Sequence, residues 1–296
     1  MKKQEIIKKP AKRLTLYRVG RGAGNVVNVL FKLFACVIFA FPFFWMLITS
    51  LKTYGESIQF PPTLFPENPS FQSYMTVFQS MDLWNFIKNT LIVTVAVMVL
   101  NFVTVVPCAY ALAKYDFKGR GLLWSLIMGA KMVPTVITFI PVYIMFSKLR
   151  FFGEPMINSL WPQILPFGTS AFNIFLLRQN FMQVPEEVIE SARLDNASEF
   201  KIMWKVMLPM AKSTMVTIML LTFISHWNAY FWPLVMCNTE EFMPISLAIS
   251  RLSTLEYGLQ WPTIMAGSLI LTGPVLILFI IASKKIISSM AYRGVK

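Results

Sequence analysis

Six long apolar stretches constrain the fold of this chain more than any other feature of its sequence. Each is long enough to cross the roughly 30 Å hydrocarbon core of a bilayer, which takes about 20 helical residues. The alternating segments of roughly 10 residues that build a membrane β-barrel are not seen. The sequence therefore predicts an all-α integral membrane protein with six transmembrane helices, at approximately residues 27–50, 88–113, 121–147, 158–181, 210–236 and 263–284.

The uneven charge distribution predicts the topology of these helices. The net charge is +13, and most of the 27 Lys and Arg residues lie before the first stretch, between the second and third, between residues 178 and 212, or after the sixth. The positive-inside rule then places both termini and the segment around residues 185–209 in the cytoplasm. The same distribution favours contact with anionic lipid over binding of nucleic acid. The first apolar run is too long for a cleaved signal peptide, so we expect it to remain as the first span.

Several kinds of chemistry have no sequence support. The chain has no phosphate-binding glycine loop, no dinucleotide-binding motif and no paired-cysteine zinc motif. His226 is its single histidine, and acidic residues are effectively missing from the spans, so neither a metal site nor an ion-coupled carrier is indicated. We expect a chain that is not an enzyme, binds no metal or cofactor, and depends on a partner for energy.

A charged segment between the fourth and fifth stretches interrupts the apolar pattern. It reads EEVIESARLDNASEFKIMWKVMLP, residues 186–209. Pro185 suits the first helical turn and Glu186 complements the helix dipole. Asp195 and Asn196 favour a turn, and Pro209 ends the second helix. The segment therefore predicts a helical hairpin, which either docks into a cleft of another protein or only seals a surface loop.

This hairpin resembles the cytoplasmic signature of ABC-importer permeases, an E-A-A-x-x-x-G motif followed by a Leu-Pro ending. Ser191 replaces an alanine of the motif, and Asn196 replaces its glycine, which asparagine can do because it tolerates positive φ. Other segments, among them FPPTLFPENPSFQSY, AYALAKYDFKGRG, HWNAYFWPLVM and MAYRGVK, resemble the maltose-type second permease of carbohydrate importers. The resemblance assigns coupling to an ATPase to Glu190, Ser191, Ala192, Asp195, Asn196, Ala197 and Pro209.

The resemblance also implies an architecture and a set of partners. We expect the type I ABC-importer permease fold in the plasma membrane, beside a second homologous permease. Two copies of a cytoplasmic ABC ATPase would bind ATP and Mg²⁺, and Glu190 would bond a basic group of that ATPase. A separate extracellular protein would deliver the sugar.

The expected domain organisation follows from the spans and the resemblance. A core permease domain of five helices covers residues 88–284 and contains the coupling helix near 185–197. The remaining parts are a basic cytoplasmic N-terminus (1–26), the first transmembrane helix (27–50), an extracellular loop (51–87) and a cytoplasmic tail (285–296).

Polar and aromatic residues within the spans are candidates for the transport path. A cation at Lys131 is costly at membrane depth, by about 3 kcal/mol, so it either binds an acidic sugar, snorkels or pairs with the other permease. The amides and aromatic rings either contact sugar or hydrogen-bond and pack between helices. An acidic or phosphorylated polyol as substrate, and a membrane signalling or scaffold protein, remain alternative functions. The candidates are Lys131, Asn173, His226, Trp227, Asn228 and Tyr230.

Overall fold

A computed structural model describes residues 11–151, 153–254 and 260–291, and most of these residues are helical. The first half of the chain contains α1 (Ala11–Ser50), α2 (Tyr54–Ser57), α3 (Gln72–Ser80), α4 (Leu83–Lys114), α5 (Arg120–Met132) and α6 (Thr135–Lys148). A two-residue antiparallel ladder follows, with β1 (Arg150–Phe151) paired to β2 (Glu154–Pro155).

The second half alternates short and long helices. A 3₁₀ turn (Met156–Asn158) leads to α7 (Trp161–Ile164), a second 3₁₀ turn (Leu165–Phe167), α8 (Ala171–Phe181), α9 (Glu186–Leu194) and α10 (Glu199–Ile202). A π-helical segment (Met203–Met207) continues into α11 (Leu208–Met210), α12 (Lys212–Trp227) and α13 (Phe231–Met236). The last elements are a 3₁₀ turn (Glu240–Phe242), α14 (Ile245–Arg251), a 3₁₀ turn (Leu252–Thr254) and α15 (Trp261–Ala291).

Three helices among the described residues are long and apolar enough to cross a membrane. They are Val26–Ser50 within α1, Leu83–Lys114 (α4) and Trp261–Ser283 within α15. They coincide with the first, second and sixth predicted spans. Two bent pairs would raise the number to five if each counts as one span.

The third predicted span, residues 121–147, is the first of these bent pairs. The fifth predicted span, residues 210–236, overlaps the second pair mainly in α12, and it continues past the end of α12 at Trp227 into α13. Helices α5 and α6 meet at 93°, and the segment Glu199–Met210 meets α12 at 82°. Proline explains both bends, because it lacks an N–H and its ring clashes with the preceding helical turn. Pro134 stands at the α5–α6 break, and Pro209 follows the π-helical segment.

The fourth predicted span, residues 158–181, is not a continuous helix. Pro162 and Pro166 fall in α7 and in the 3₁₀ turn after it, and α8 begins only at Ala171. Ser170 caps α8, since its Oγ accepts the N–H of Asn173 at 3.3 Å. The 11 residues of α8 extend about 16 Å, which is too short to cross a bilayer. The described residues therefore do not confirm six continuous spans.

Two large apolar clusters hold these helices together. One joins α4, α8, α9 and the π-helical segment, with fully buried Leu177, Phe181 and Met207. The other joins the beginning of α4 to the end of α12, α14 and α15, with buried Trp227 and Ile245. Helix α4 contributes to both clusters and is therefore the central element of the fold.

A buried polar network lies between α4, α8 and α12. The amide of Asn173 donates to Asn101 Oδ1 at 2.9 Å and to Thr222 Oγ1 at 3.3 Å. The amide of Asn101 donates in turn to the Phe167 carbonyl at 2.7 Å. All three polar side chains are buried, so the network replaces the water that they lose on folding.

Candidate functional site

The charged hairpin, residues 185–209, has the helix, turn and helix that the sequence predicts. Helix α9 ends at Leu194, and Asn196 has a φ of 56°, in the left-handed region. The N–H of Ala197 donates to the carbonyl of Ala192 at 3.0 Å and closes the turn. Ser198 then caps α10 by accepting the N–H of Lys201 at 3.4 Å. Asparagine thus performs the backbone role for which glycine is the usual choice.

The outer side of this hairpin exposes both charge and apolar surface. Glu190 is exposed, whereas Ile189 beside it is fully buried against the body of the protein. Leu194 is 83% exposed and Phe200 is 69% exposed. An isolated exposed leucine needs no explanation, but two large apolar side chains flanking one tight turn form a surface suited to a protein partner.

Glu199 connects the two arms of the hairpin to α4. Its Oε2 accepts the hydroxyl of Tyr110 at 2.6 Å, and its Oε1 accepts Nε of Arg193 at 2.8 Å. The hydrogen bond with Glu199 raises the pKa of Arg193 above its ordinary value, so this guanidinium stays charged. One carboxylate therefore links α4, α9 and α10.

Lys114, in the last turn of α4, holds the other end of α9. Its Nζ donates to the carbonyl of Val184 at 2.8 Å and lies 3.0 Å from Oε2 of Glu186. The Lys114 side chain is nearly buried, so these two acceptors replace the water that its ammonium group loses on folding. Together with the bonds of Glu199, they fix both ends of α9 to α4; we call these contacts the α4–α9 clamp.

The second arm of the hairpin is anchored by apolar packing. Met207 is fully buried, and the ring of Trp204 lies 5.1 Å from that of Phe102 and 5.7 Å from that of Phe200. Pro209 is exposed and begins the turn into α12. Of the predicted coupling residues, Pro209 therefore stands apart, and the others form one group around α9. That group contains Glu190, Ser191, Ala192, Asp195, Asn196 and Ala197.

The clamp residues Tyr110, Lys114 and Glu199 were not singled out as site residues by the sequence. Lys114 counted only as a topology signal, and Tyr110 lies inside a segment that supported the family resemblance. The contacts that Tyr110 and Lys114 make with the hairpin join positions 70 to 89 apart along the chain. A single sequence has no local pattern that reports such a pairing.

A cavity of about 680 Å³ lies between α6, the turn after α7 and the α12–α13 region. Its wall includes Gln163, Phe167, His226, Tyr230 and Trp232. A second cavity of about 420 Å³ has Asn101, Asn173 and Thr222 in its wall. Phe167 and His226 line both cavities, and their rings lie 5.0 Å apart in an edge-to-face contact. The two spaces are therefore neighbours that share a wall.

The predicted transport-path residues divide between these cavities and the helix packing. His226 and Tyr230 line the first cavity, and Asn173 and His226 the second. Trp227 lines neither, because its indole N–H donates to the Leu271 carbonyl at 2.7 Å within the packed core. Asn228 also lines neither, and its amide donates to Ile224 of its own helix at 3.0 Å.

Lys131 lies at the bend between α5 and α6, not at the middle of a straight span. It is in the last turn of α5, where the helix dipole favours a cation. Its Nζ lies 4.4 Å from the centroid of the Phe172 ring, which lines the second cavity. Among residues 11–151, 153–254 and 260–291, no group of three His, Cys, Asp or Glu is placed to hold a metal ion.

Residues 105–288 match the family model described as the binding-protein-dependent transport system inner membrane component. The chain belongs to this family. The matched region begins in α4 and includes the clamp, the hairpin and most of the residues that line the two cavities. Family membership decides between transport and the scaffold function that the sequence alone left open.

Characterised relatives of this permease span nearly its whole length. It is 30% identical over 275 residues to the arabinooligosaccharides transport system permease protein AraQ of Bacillus subtilis (strain 168), covering 92% of this chain and 96% of that protein. It is 30% identical over 279 residues to the diacetylchitobiose uptake system permease protein DasC of Streptomyces coelicolor, covering 94% and 98%. The permease is therefore a carbohydrate ABC-importer subunit of the inner membrane and not an enzyme.

A solved structure supports the same fold for the permease. The crystal structure of a bacterial ABC transporter that imports the acidic polysaccharide alginate matches with a TM-score of 0.76 and 27% identity, covering 90% of this chain and 97% of that chain. Because the match covers nearly the whole of both chains, the fold is that of an ABC-importer permease.

Proposed function

We propose that this permease couples ATP hydrolysis by a cytoplasmic ABC ATPase to carbohydrate import, and that the hairpin at residues 185–209 is the coupling element. The observation that carries this proposal is the combination of an exposed tip with a fixed base. Glu190, Leu194 and Phe200 are exposed, while the α4–α9 clamp ties the base of the hairpin to a membrane-spanning helix.

Physical chemistry supports docking at the tip. Burying an exposed leucine or phenylalanine stabilises a contact by about 1.5–3 kcal/mol. Glu190 adds a carboxylate that a basic group of the ATPase can pair with at the rim of that contact. The motif residues Ala192 and Ala197 pack against the apolar core, and their small side chains let α9 lie close to the chain that follows it.

The proposed assembly contains a second homologous permease, two ATPase copies that bind ATP and Mg²⁺, and an extracellular sugar-binding protein. In this arrangement both termini and the hairpin are cytoplasmic, as the positive-inside rule predicts. Residues 51–87 are then extracellular. ATP-driven closure of the two ATPases moves both coupling helices together and changes access to the transport path.

The transport path of this chain is proposed to run along the two cavities. His226 and Tyr230 offer polar groups beside aromatic rings, an arrangement that suits a sugar with hydroxyl groups and an apolar ring face. The relatives transport arabinooligosaccharides and diacetylchitobiose, which supports an oligosaccharide as the substrate.

A second candidate substrate is an acidic sugar or phosphorylated polyol. The observation that favours it is the Lys131 ammonium, which is exposed and lies over Phe172 at the second cavity. A cation there can pair with a carboxylate or phosphate of the substrate. The alginate importer is a related protein whose substrate is acidic.

Charge reversal within α9 tests the coupling role. We expect Glu190→Lys to abolish uptake of radiolabelled oligosaccharide while the amount of permease in the membrane stays normal. Glu187→Lys is the matched control, because Glu187 is exposed on the same helix but lies outside the motif. Normal uptake and normal substrate-stimulated ATPase activity in Glu190→Lys would overturn the proposal.

A further inference from the structure

Residues 51–82 connect two membrane-spanning helices and fold back onto the end of the first. The hydroxyl of Tyr74 in α3 lies 2.9 Å from Oγ of Ser50, the last residue of α1. Asp82 follows α3 and caps α4, since its Oδ1 accepts the N–H of Asn85 at 3.2 Å. Helix α3 is therefore held at the level where one span ends and the next begins.

Helix α3 has two different exposed faces beside its buried one. Ser73 and Val77 are buried against the protein. Met75 is 63% exposed and Phe78 is 62% exposed, and together with Phe71 just before the helix they form an apolar stripe at helical spacing.

The second exposed face of α3 is polar. Gln72, Thr76 and Gln79 are all exposed and follow the residues of the apolar stripe by one position, which is about 100° around the helix. A helix with one face on protein, one apolar face and one polar face suits the boundary between lipid and water.

In the irregular segment before α3, two of the three charged side chains are buried, whereas Glu67 and the large apolar side chains are exposed. Lys52 and Glu56 are buried; Lys52 donates to the Thr63 carbonyl, and Glu56 Oε1 accepts the N–H of Glu67 at 2.9 Å. Phe60 is 92% exposed. Two buried charges beside exposed aromatic rings are unusual for a loop that faces only water.

Phe65, in the same segment, connects this surface to a transmembrane helix. It is exposed, and its ring lies 6.0 Å from that of Phe44 in α1. Phe44 is six residues before the end of α1, about 9 Å along the helix. The irregular segment therefore extends down beside the end of the span.

Unpaired backbone groups restrict what can cover this segment. Within the part of the chain that the structure describes, the N–H groups of Phe60, Thr63, Leu64 and Phe65 have no hydrogen-bond acceptor. Neither the hydrocarbon core nor a dry protein interface can supply one without further polar groups. The headgroup layer of a membrane contains both water and lipid oxygens and also accommodates aromatic rings.

We propose that these residues form an interfacial anchor that lies in the headgroup layer of the bilayer, with lipid as its occupant. The anchor consists of Phe60, Leu64, Phe65, Phe71, Met75 and Phe78. It fixes the depth in the membrane at which α1 ends and α4 begins. The proposal does not depend on the substrate or on the coupling role of the hairpin.

Single-cysteine labelling tests the anchor in the complete transporter. Cys36, Cys108 and Cys237 are first replaced by alanine. Met75→Cys and its neighbour Thr76→Cys are then labelled with an environment-sensitive fluorophore, and the assembly is reconstituted in vesicles that contain phosphatidylcholine with a nitroxide near the headgroup. Phe78→Cys and Gln79→Cys form a second matched pair in case one variant fails to assemble.

The anchor predicts that nitroxide lipid quenches the probe at position 75 or 78 and leaves the probe at position 76 or 79 largely unquenched. The polar-face probes should instead be quenched by iodide in solution. A probe at 75 or 78 that is protected from both quenchers would show that protein covers this face, and equal quenching by iodide at both faces would show that water does. Either result would overturn the proposal.

Discussion

Glu199 shows how much one side chain contributes to the structure of the hairpin at residues 185–209. Its two carboxylate oxygens accept hydrogen bonds from Tyr110 in α4 and Arg193 in α9. A neutral side chain of the same length can keep one of these bonds but not both in their charge-assisted form. Because Arg193 is two-fifths exposed, solvent screening limits the energetic contribution of this pair.

We therefore expect Glu199→Gln to weaken the α4–α9 clamp by about 1 kcal/mol and to leave the folded chain intact. Uptake should fall while ATP hydrolysis by the assembled transporter continues, since the hairpin still docks but transmits movement poorly. The ratio of sugar uptake to ATP hydrolysis, measured on the same vesicles, checks this prediction. Lys201→Gln, an exposed neighbour on α10, is the control and should leave the ratio unchanged.

At the scale of elements, straight spans were predictable from the sequence and broken ones were not. Helices α1, α4 and α15 follow from apolar composition over about 20 residues, because a straight span must satisfy its backbone internally. The apolar stretch at 158–181 passes the same test, yet Pro162 and Pro166 divide it. Proline alone does not predict a break, since Pro107 and Pro274 lie inside continuous helices.

The candidate site was also predictable only in part: the sequence predicts the hairpin but not the residues that line the cavities. The helix, the turn at Asn196 and the second helix follow from local residue preferences. Which polar residues line a cavity and which join helices depends on contacts across the fold. Adjacent residues diverge for this reason, with His226 in both cavity walls and Trp227 hydrogen-bonded to Leu271 in the core.

The polar network between α4, α8 and α12 predicts a stability effect. We expect Asn173→Leu to destabilise the permease by about 1–2 kcal/mol, because Asn101 Oδ1 and Thr222 lose a buried donor. A lowered midpoint of thermal unfolding in detergent would report this loss. Asn228→Leu is the matched control, since that exposed amide bonds only within its own helix. Equal midpoints for the two variants would contradict a structural role of the network.

At the scale of the whole molecule, the proposed transport path combines the two cavities of this permease with a cation beside them. The second cavity has neutral polar groups in its wall, and Lys131 contributes positive charge through its position over Phe172. If the transported sugar is acidic, Lys131 is proposed to bind it. If the sugar is neutral, Lys131 is proposed to stabilise the α5–α6 bend.

If the substrate is acidic, Lys131→Gln should reduce its uptake while uptake of a neutral oligosaccharide by the same transporter is unchanged. Competition assays with matched neutral and acidic sugars measure this difference. Lys131→Arg keeps the cation and should retain most of the uptake of the acidic sugar. An equal loss for both sugars would assign Lys131 to the stability of the α5–α6 bend.

The attachment of α9 at the end of a long helix has a mechanical consequence. Helix α4 has 32 residues and is therefore about 48 Å long. In the proposed mechanism, movement of α9 pulls on the end of α4, and a rigid tilt of the helix by about 10° shifts its two ends sideways relative to each other by about 8 Å. On this proposal, a movement that starts at α9 on one membrane surface also displaces α4 at the other surface, where the helix begins beside residues 51–82.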